Sequence, residues 1–579
     1  MEKIFGIDLG TTNSEIAYVK DGKPEIVTTT EGRMFLPSVV GVDSRGEIIT
    51  GFAARNQYAA YPENTVVSIK RKMGSGEKVL MAGRRHTAAE ISSHILRTLK
   101  ESAERETGMV VNKAVITVPA YFNDAQRTDT IRAGELAGLE VVRIINEPTA
   151  AALAYGCRQE RRERILVYDL GGGTFDISLV DVEKGVIEVI ATNGDTRLGG
   201  DDFDRLLSVL FLEHLPEGLD PEKDPRLAAG LKNAAEEAKI ALSTRTMIDV
   251  REGFLAAVEG EPVNLELSVT RREFERRIEK VLGKTFDLLE GVLKEKKLGH
   301  QDISKVLLVG GSTYIPRIFH VLAGELGFDV HREVDPTYCV AVGAAIQGAI
   351  IAGEETETIL VDVNAHSLGI RCLHFRPLAG LDSNKYSIIL PRNTPIPASM
   401  SETYHTLFEN QKEALIEVYQ GENPVASHNT PIGSFALDSL PGNLPAGSEI
   451  DVTFEYDLNG VVEITACERT SGKKERIKVD INRIESGKGD TEGTSKAQNT
   501  GPKAVKTEAR AEISSQEKGV EKKARRILKT AEKKLSLVEN PRLLERMNSA
   551  MRRLEESLVK NEAGVAELSE ELAALIAET

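Results

Sequence analysis

Apolar residues in the first 350 positions fall into two alternating patterns. Short unbroken runs, Ile4-Phe5-Gly6-Ile7, Ile165-Leu166-Val167-Tyr168 and Val306-Leu307-Leu308-Val309, read as buried strands. Lys113–Val118 and 187–191 add further strand signals. Between such runs, apolar positions recur every three or four residues over 88–105, 124–137, 201–214, 225–242 and 271–298, which predicts amphipathic helices. This alternation predicts an α/β domain over 1–355. The strip Ile359-Leu360-Val361-Asp362-Val363 follows a break and reads as a linker, 356–363, able to add to a sheet edge. Over 364–483 helical spacing vanishes. Short β-branched and aromatic runs at 386–390, 414–419, 449–456 and 461–466 predict a compact all-β domain, with a hairpin turn at Asp457-Leu458-Asn459-Gly460. Residues 484–510 are rich in Ser, Gly, Lys and Thr and read as a flexible linker. Residues 511–579 are charged and helical. Leu528, Ala531, Leu535 and Leu537 precede Pro541, which starts a second helix, and Leu554, Leu558, Leu568 and Leu572 follow.

Composition narrows the classes. Charged residues make 28% and hydrophobic ones 41%, ordinary for a globular protein. A net charge of −16 argues against nucleic acid as the main partner, because phosphate backbones recruit basic surfaces. The four cysteines lie far apart without CxxC spacing, which argues for a reducing compartment and against a zinc or disulfide framework. A strand starting at Ile4 leaves no room for a signal peptide, and no apolar run has membrane-helix length. A cytoplasmic location, with no membrane partner, is expected.

Candidate chemistry sits where the strand runs end in glycines: Asp8-Leu9-Gly10-Thr11-Thr12-Asn13, Asp169-Leu170-Gly171-Gly172-Gly173-Thr174-Phe175-Asp176 and Gly310-Gly311-Ser312-Thr313. Glycines let backbone N–H groups approach an anion unobstructed. The first two segments form a pair that could clamp a nucleoside triphosphate from both sides. Asp8 and Asp169 would face magnesium through water, since Mg2+ retains several waters. Each alone could instead cap its turn. Thr11, Thr12 and Thr174 offer hydroxyl and N–H groups to phosphates. Lys70 follows an apolar run and could reach a γ-phosphate, although composition alone reads it as a solvated lysine. Glu147, before Pro148, could orient water or metal, or simply favour a helix start. Glu236, Lys239 and Ser243 share a helix face and could bond a ribose or base, or face solvent. Gly310, Gly311 and Ser312 offer a flat floor for adenosine.

At this density of motifs the chain resembles the DnaK-type 70-kDa heat-shock chaperone family. The resemblance is carried by 6–14, 118–127 (Val118-Pro119-Ala120-Tyr121 onward), 143–156 (Arg143-Ile144-Ile145-Asn146-Glu147-Pro148 onward), 168–176, Leu198-Gly199-Gly200-Asp201 and 309–316. Beyond these come Ser367-Leu368-Gly369-Ile370, Pro391-Arg392-Asn393-Thr394-Pro395, Asn410-Gln411 and Tyr419-Gln420-Gly421-Glu422. It implies an actin-like two-lobed ATPase, a β-sandwich that binds polypeptide, and a helical lid. It implies ATP or ADP with Mg2+, and K+ as a further ion. Positions Asp8, Thr11, Thr12, Lys70, Glu147, Asp169, Thr174 and Asp176 match those serving magnesium-ATP and its hydrolysis. Gly10, Asn13, Gly171, Gly172, Gly173, Gly310, Gly311, Ser312 and the helical trio Glu236, Lys239 and Ser243 match nucleotide-holding positions. Pro119 and Arg127 match a nucleotide-state switch, and Arg143, Asn146 and Asp362 match positions contacted by J-domain co-chaperones. Ile370, Leu373, Tyr404, Leu407, Ala414 and Ile416 match a peptide cleft, with Leu373 and Leu407 arching over it. The implied partners are unfolded or extended polypeptides, a J-domain protein and a nucleotide-exchange factor. Departures are Tyr314, where the family has an arginine against the base, Asp335-Pro336-Thr337, a short 74–87 segment and the small Ala414. A single-client relative, an actin-like filament protein and a small-molecule kinase are the competing readings.

Overall fold

The computed structural model describes residues 2–478 apart from 157–161, 184, 259, 332–334, 355–358, 377–379 and 459–460. The predicted linker at 484–510 and helical tail at 511–579 lie outside the described residues, as does most of the linker's first half, 356–358.

Two large sheets organise the first 355 residues, beside three smaller ones of two or three strands. In one, Ile4–Asp8 lies between Lys113–Val118, parallel, and Asn13–Lys20, antiparallel, with Glu140–Asn146 and Lys23–Ile26 outside them. In the other, the order is Val330–His331, Lys305–Val309, Glu163–Leu170, Phe175–Glu183, Val186–Asp195, Ile359–Val363 and Pro395–Ile396. The sheets repeat one local plan. A buried strand ends in an aspartate, turns through glycines and returns antiparallel, which pairs Asp8 with Glu15 and Asp169 with Asp176.

The predicted helices form as Ala88–Thr107, Asp124–Leu136, Gly200–Leu212, Pro225–Thr244 and Arg271–Glu295. Capping sets several of their starts. Thr87 with Glu90, and Asn123 with Gln126, make reciprocal capping boxes, and the Asp224 carboxylate accepts from the N–H groups of Arg226 and Leu227. Helix Cys339–Ile351 gives no periodic signal because it is apolar on all sides. It packs with Glu147–Gly156 in a core that also takes Ile4 and Val115 from one sheet and Ile165, Val167 and Val309 from the other. Small residues permit this closeness. A Cβ at Gly6 would lie 2.0 Å from the Ala345 backbone nitrogen.

The later region is two antiparallel four-stranded sheets over one core. Leu368–Arg376 and Ala414–Gln420 are central in the first, Glu449–Tyr456 and Val462–Glu468 in the second. Leu368, Val418, Leu437, Val452, Phe454 and Ile464 meet between them. Tyr456 pairs with Val462, so the chain reverses at the predicted hairpin. The strip Ile359–Val363 adds in parallel to Val186–Asp195, and Pro395–Ile396 pairs on its far side, so backbone bonding runs from the α/β region into the β region. Among the described residues no helix is long and apolar enough to cross a membrane.

Candidate functional site

All three glycine loops open onto one cavity of about 600 Å3. The first two touch face to face. A Cβ at Gly172 would fall 1.9 Å from Thr12 Oγ1, and one at Gly173 would fall 2.7 Å from the Thr11 side chain. The third closes the floor. Gly310 sits at φ 82°, where an added Cβ would meet the Leu170 carbonyl oxygen at 2.4 Å. The Ser312 hydroxyl donates to the Gly171 carbonyl at 2.8 Å. Thus glycine backbone from two sheets meets on one volume, the arrangement that cradles phosphates.

Asp8, Gly10, Thr11, Thr12, Asn13, Lys70, Glu147, Asp169, Gly171, Gly172 and Thr174 line this cavity, and so do Glu236, Lys239, Ser243, Gly310, Gly311, Ser312 and Tyr314. Gly173 lies against Thr11, and Asp176 pairs with Asp169 across the strands. Lys70 is not a surface lysine. It is 4% exposed, and its ammonium is 2.5 Å from Glu147 Oε1. Burial pulls that ammonium down, but Glu147 and Asp8 outweigh it and hold its pKa above the usual lysine value. The carboxylates are under strain of the opposite kind. Burial, then the charge of Glu147, pushes Asp8 up to about 7 and Asp176 up to about 8, and raises Asp169. Asp169 Oδ2 and Asn13 Oδ1 are buried without a hydrogen-bond donor among the described residues. Crowded carboxylates with unmatched acceptor oxygens fit a hard divalent cation.

The end of the cavity lined by Glu236, Lys239 and Tyr314 is built differently from the glycine-loop end. Tyr314 presents a half-exposed ring and sends its hydroxyl to Asp335 at 3.3 Å. Glu236 is paired with Arg55 at 3.1 Å, across the cleft, and Lys239 bonds Asp204 at 2.8 Å. Sequence reasoning missed two residues. Arg71 donates to the Gly173 carbonyl at 3.0 Å and to Asp202. Glu15, 2% exposed, lines the cavity opposite Asp8, and burial raises its pKa well above the carboxylate range. The signal for Glu15 was available: it is the lone acid in a buried strand and the register counterpart of Asp176.

Behind the cavity Arg127 and Asn146 meet the linker strip Ile359–Val363. Arg127 donates to Asn146 Oδ1 at 2.7 Å, and to the carbonyls of Ala120 and Phe122, in the turn that Pro119 begins. Asn146 donates to Asp362 at 2.8 Å, and the Thr149 hydroxyl reaches the same carboxylate oxygen at 3.0 Å. Arg143 lies on the same strand as Asn146; burial lowers its pKa and the charge of Asp362 opposes this. Loop 391–394 adds further contacts: Arg392 and Asn393 bond Glu295, and Asn393 accepts from the Thr192 N–H at 3.1 Å. In the β region, Ile370 and Ile416 are each 5% exposed in the core, with Tyr404 and Ala414 packed against it. Tyr404 donates to Ser387 Oγ at 3.0 Å. Leu373 and Leu407 stand outside that core, 41% and 47% exposed.

This geometry defines a nucleotide-binding α/β protein bonded, through the strip Ile359–Val363 as a strap, to a β region. The profile of the family described as Hsp70 protein matches residues 4–81 and 75–579. The chain is 44% identical to the "Chaperone protein DnaK" of Thermotoga petrophila over 487 residues, covering 83% of this chain and 80% of that one. The proteins of the same name from Thermotoga maritima and Thermotoga neapolitana match to the same extent. The chain belongs to the Hsp70 family: it is an ATP-dependent chaperone, and an ATPase.

Proposed function

We propose that the cavity binds Mg2+ with ATP or ADP between the two facing loops, and that hydrolysis there controls a peptide cleft in the β region. The observation that carries this reading is the bonded chain Arg127–Asn146–Asp362, which joins the nucleotide domain to the strap leading into the β region. Thr11, Thr12 and Thr174 bind the phosphates with their N–H and hydroxyl groups. When bound, Mg2+ would neutralise phosphate charge. Asp8 and Asp169 hold it through water. Glu147 keeps Lys70 charged and aimed at the cavity, and Lys70 with Asp176 and Glu147 orients the attacking water. Tyr314 stacks on the base.

In the β region an extended apolar segment pairs with a strand edge and places a side chain among Ile370, Tyr404, Ala414 and Ile416, under Leu373 and Leu407. The domains we assign are an actin-like ATPase at 1–355, a linker at 356–363, a β-sandwich at 364–483, a flexible linker at 484–510 and a helical lid at 511–579. Arg143, Asn146 and Asp362 form the J-domain contact, a nucleotide-exchange factor completes the cycle, and the protein works in the cytoplasm. K+ is a further ion of the site. Peptide dissociation measured with ATP and with ADP tests the scheme. Faster release with ATP is expected, and equal release would refute it.

A further inference from the structure

His366 lies where the β region meets the nucleotide domain. His366 Nε2 is 3.0 Å from the Tyr121 carbonyl oxygen, and the two rings meet edge to face at 4.1 Å and 62°. A carbonyl only accepts, so Nε2 carries the proton. The N–H of the same Tyr121 donates to Asp176 Oδ1 at 2.9 Å. The two backbone groups of a single residue therefore link the β region to a carboxylate of the nucleotide site. The strand beside them is shaped for this. A Cβ at Gly194 would lie 2.8 Å from Asp176 Oδ1 and 3.1 Å from Tyr121 Cβ, so glycine leaves room for the bond.

We propose that His366 is a positioning residue for ATP hydrolysis: while the β region is docked, its imidazole holds Tyr121, and Tyr121 in turn holds the Asp176 carboxylate in place. When the β region leaves, the restraint on Asp176 goes with it. The inference rests on the coupled-chaperone reading above, and it adds a second route beside Asp362.

The charged groups around the imidazole set its pH response. Glu422, itself held by Ser367, favours the protonated ring, and Arg127 opposes it. Arg392, Asp176 and Asp195 act on Tyr121, and His428 lines the same interdomain cavity. Burial dominates and lowers the His366 pKa in the docked arrangement. A group whose docked pKa is lowered opposes docking as pH falls through its free value, about 6.5 for histidine.

The test uses the full chain and its His366→Leu and His366→Gln variants; glutamine keeps an N–H donor. Single-turnover ATP hydrolysis is measured with and without an unfolded apolar peptide, from pH 6 to 8, with ATP affinity measured alongside. The leucine variant is expected to lose about fivefold of the peptide-induced change in rate, the worth of one neutral hydrogen bond. Its ATP affinity should match wild type. Glutamine should restore the response and remove its pH dependence, whereas the wild-type peptide-free rate should move toward the peptide-bound rate as pH falls. A wild-type response in the leucine variant, or equal loss in both variants, would overturn the positioning role alone. A wild type indifferent to peptide would overturn the coupled reading, and this proposal with it.

Discussion

Replacing Lys70 by alanine isolates the most concentrated electrostatic feature of the cavity. The ammonium is 2.5 Å from Glu147 and nearly fully buried, and it is the cation that Asp8 and Asp169 also feel. Its removal has two separable effects. Breaking a buried pair leaves a carboxylate uncompensated, and a loss of roughly 3–5 kcal/mol is expected in denaturant unfolding. Hydrolysis should fall by about 10²–10³, the usual effect of removing one preorganised charge from a developing transition state. ATP itself should still bind, because the facing glycine loops supply the phosphate contacts through backbone N–H groups. The assay is single-turnover hydrolysis by rapid quench, beside calorimetric ATP binding and urea unfolding. Adding Glu147→Gln to the alanine variant should recover stability and leave hydrolysis slow, which separates the two effects by a double-mutant cycle. Near-normal hydrolysis of bound ATP by the alanine variant would refute the assigned role.

Other outcomes follow from the same geometry. Tyr314→Ala should weaken ATP binding by about 1–3 kcal/mol, the scale of base–aromatic stacking, while Tyr314→Phe should bind nearly as wild type; direct titration decides. Asp8 near 7 and Asp176 near 8 lie above their unfolded values, so the stability these groups give is complete at acid pH and is lost as pH rises through those values. Magnesium-nucleotide binding should therefore release protons, and its affinity should rise from pH 6 to 8; calorimetry in two buffers of different ionisation enthalpy would show it. Asp362→Ala removes the acceptor shared by Asn146 and Thr149, and ATP should then fail to speed peptide release although it still binds.

How much was legible in the sequence depended on the range of the interaction. The glycine loops were visible because close backbone approach demands glycine locally, and the long helices because one face of each is polar. Helix Cys339–Ile351 was silent: apolar on every side, it has no polar face to mark its period. Lys70 looked like any lysine in a basic stretch, since its partner lies 77 positions away. The Asn146–Asp362 bond spans 216 positions and leaves no local pattern. Glu15 could have been found by superposing the two strand–turn–strand repeats, where it stands opposite Asp176.

In the proposed cycle the nucleotide and peptide sites share free energy. The most direct measurement is the dissociation rate of a labelled apolar peptide from the full chain on adding Mg2+ with ATP, against ADP. Release at least about tenfold faster with ATP is expected, a coupling of about 1.4 kcal/mol. The same rate with either nucleotide, both shown to be bound, would contradict it.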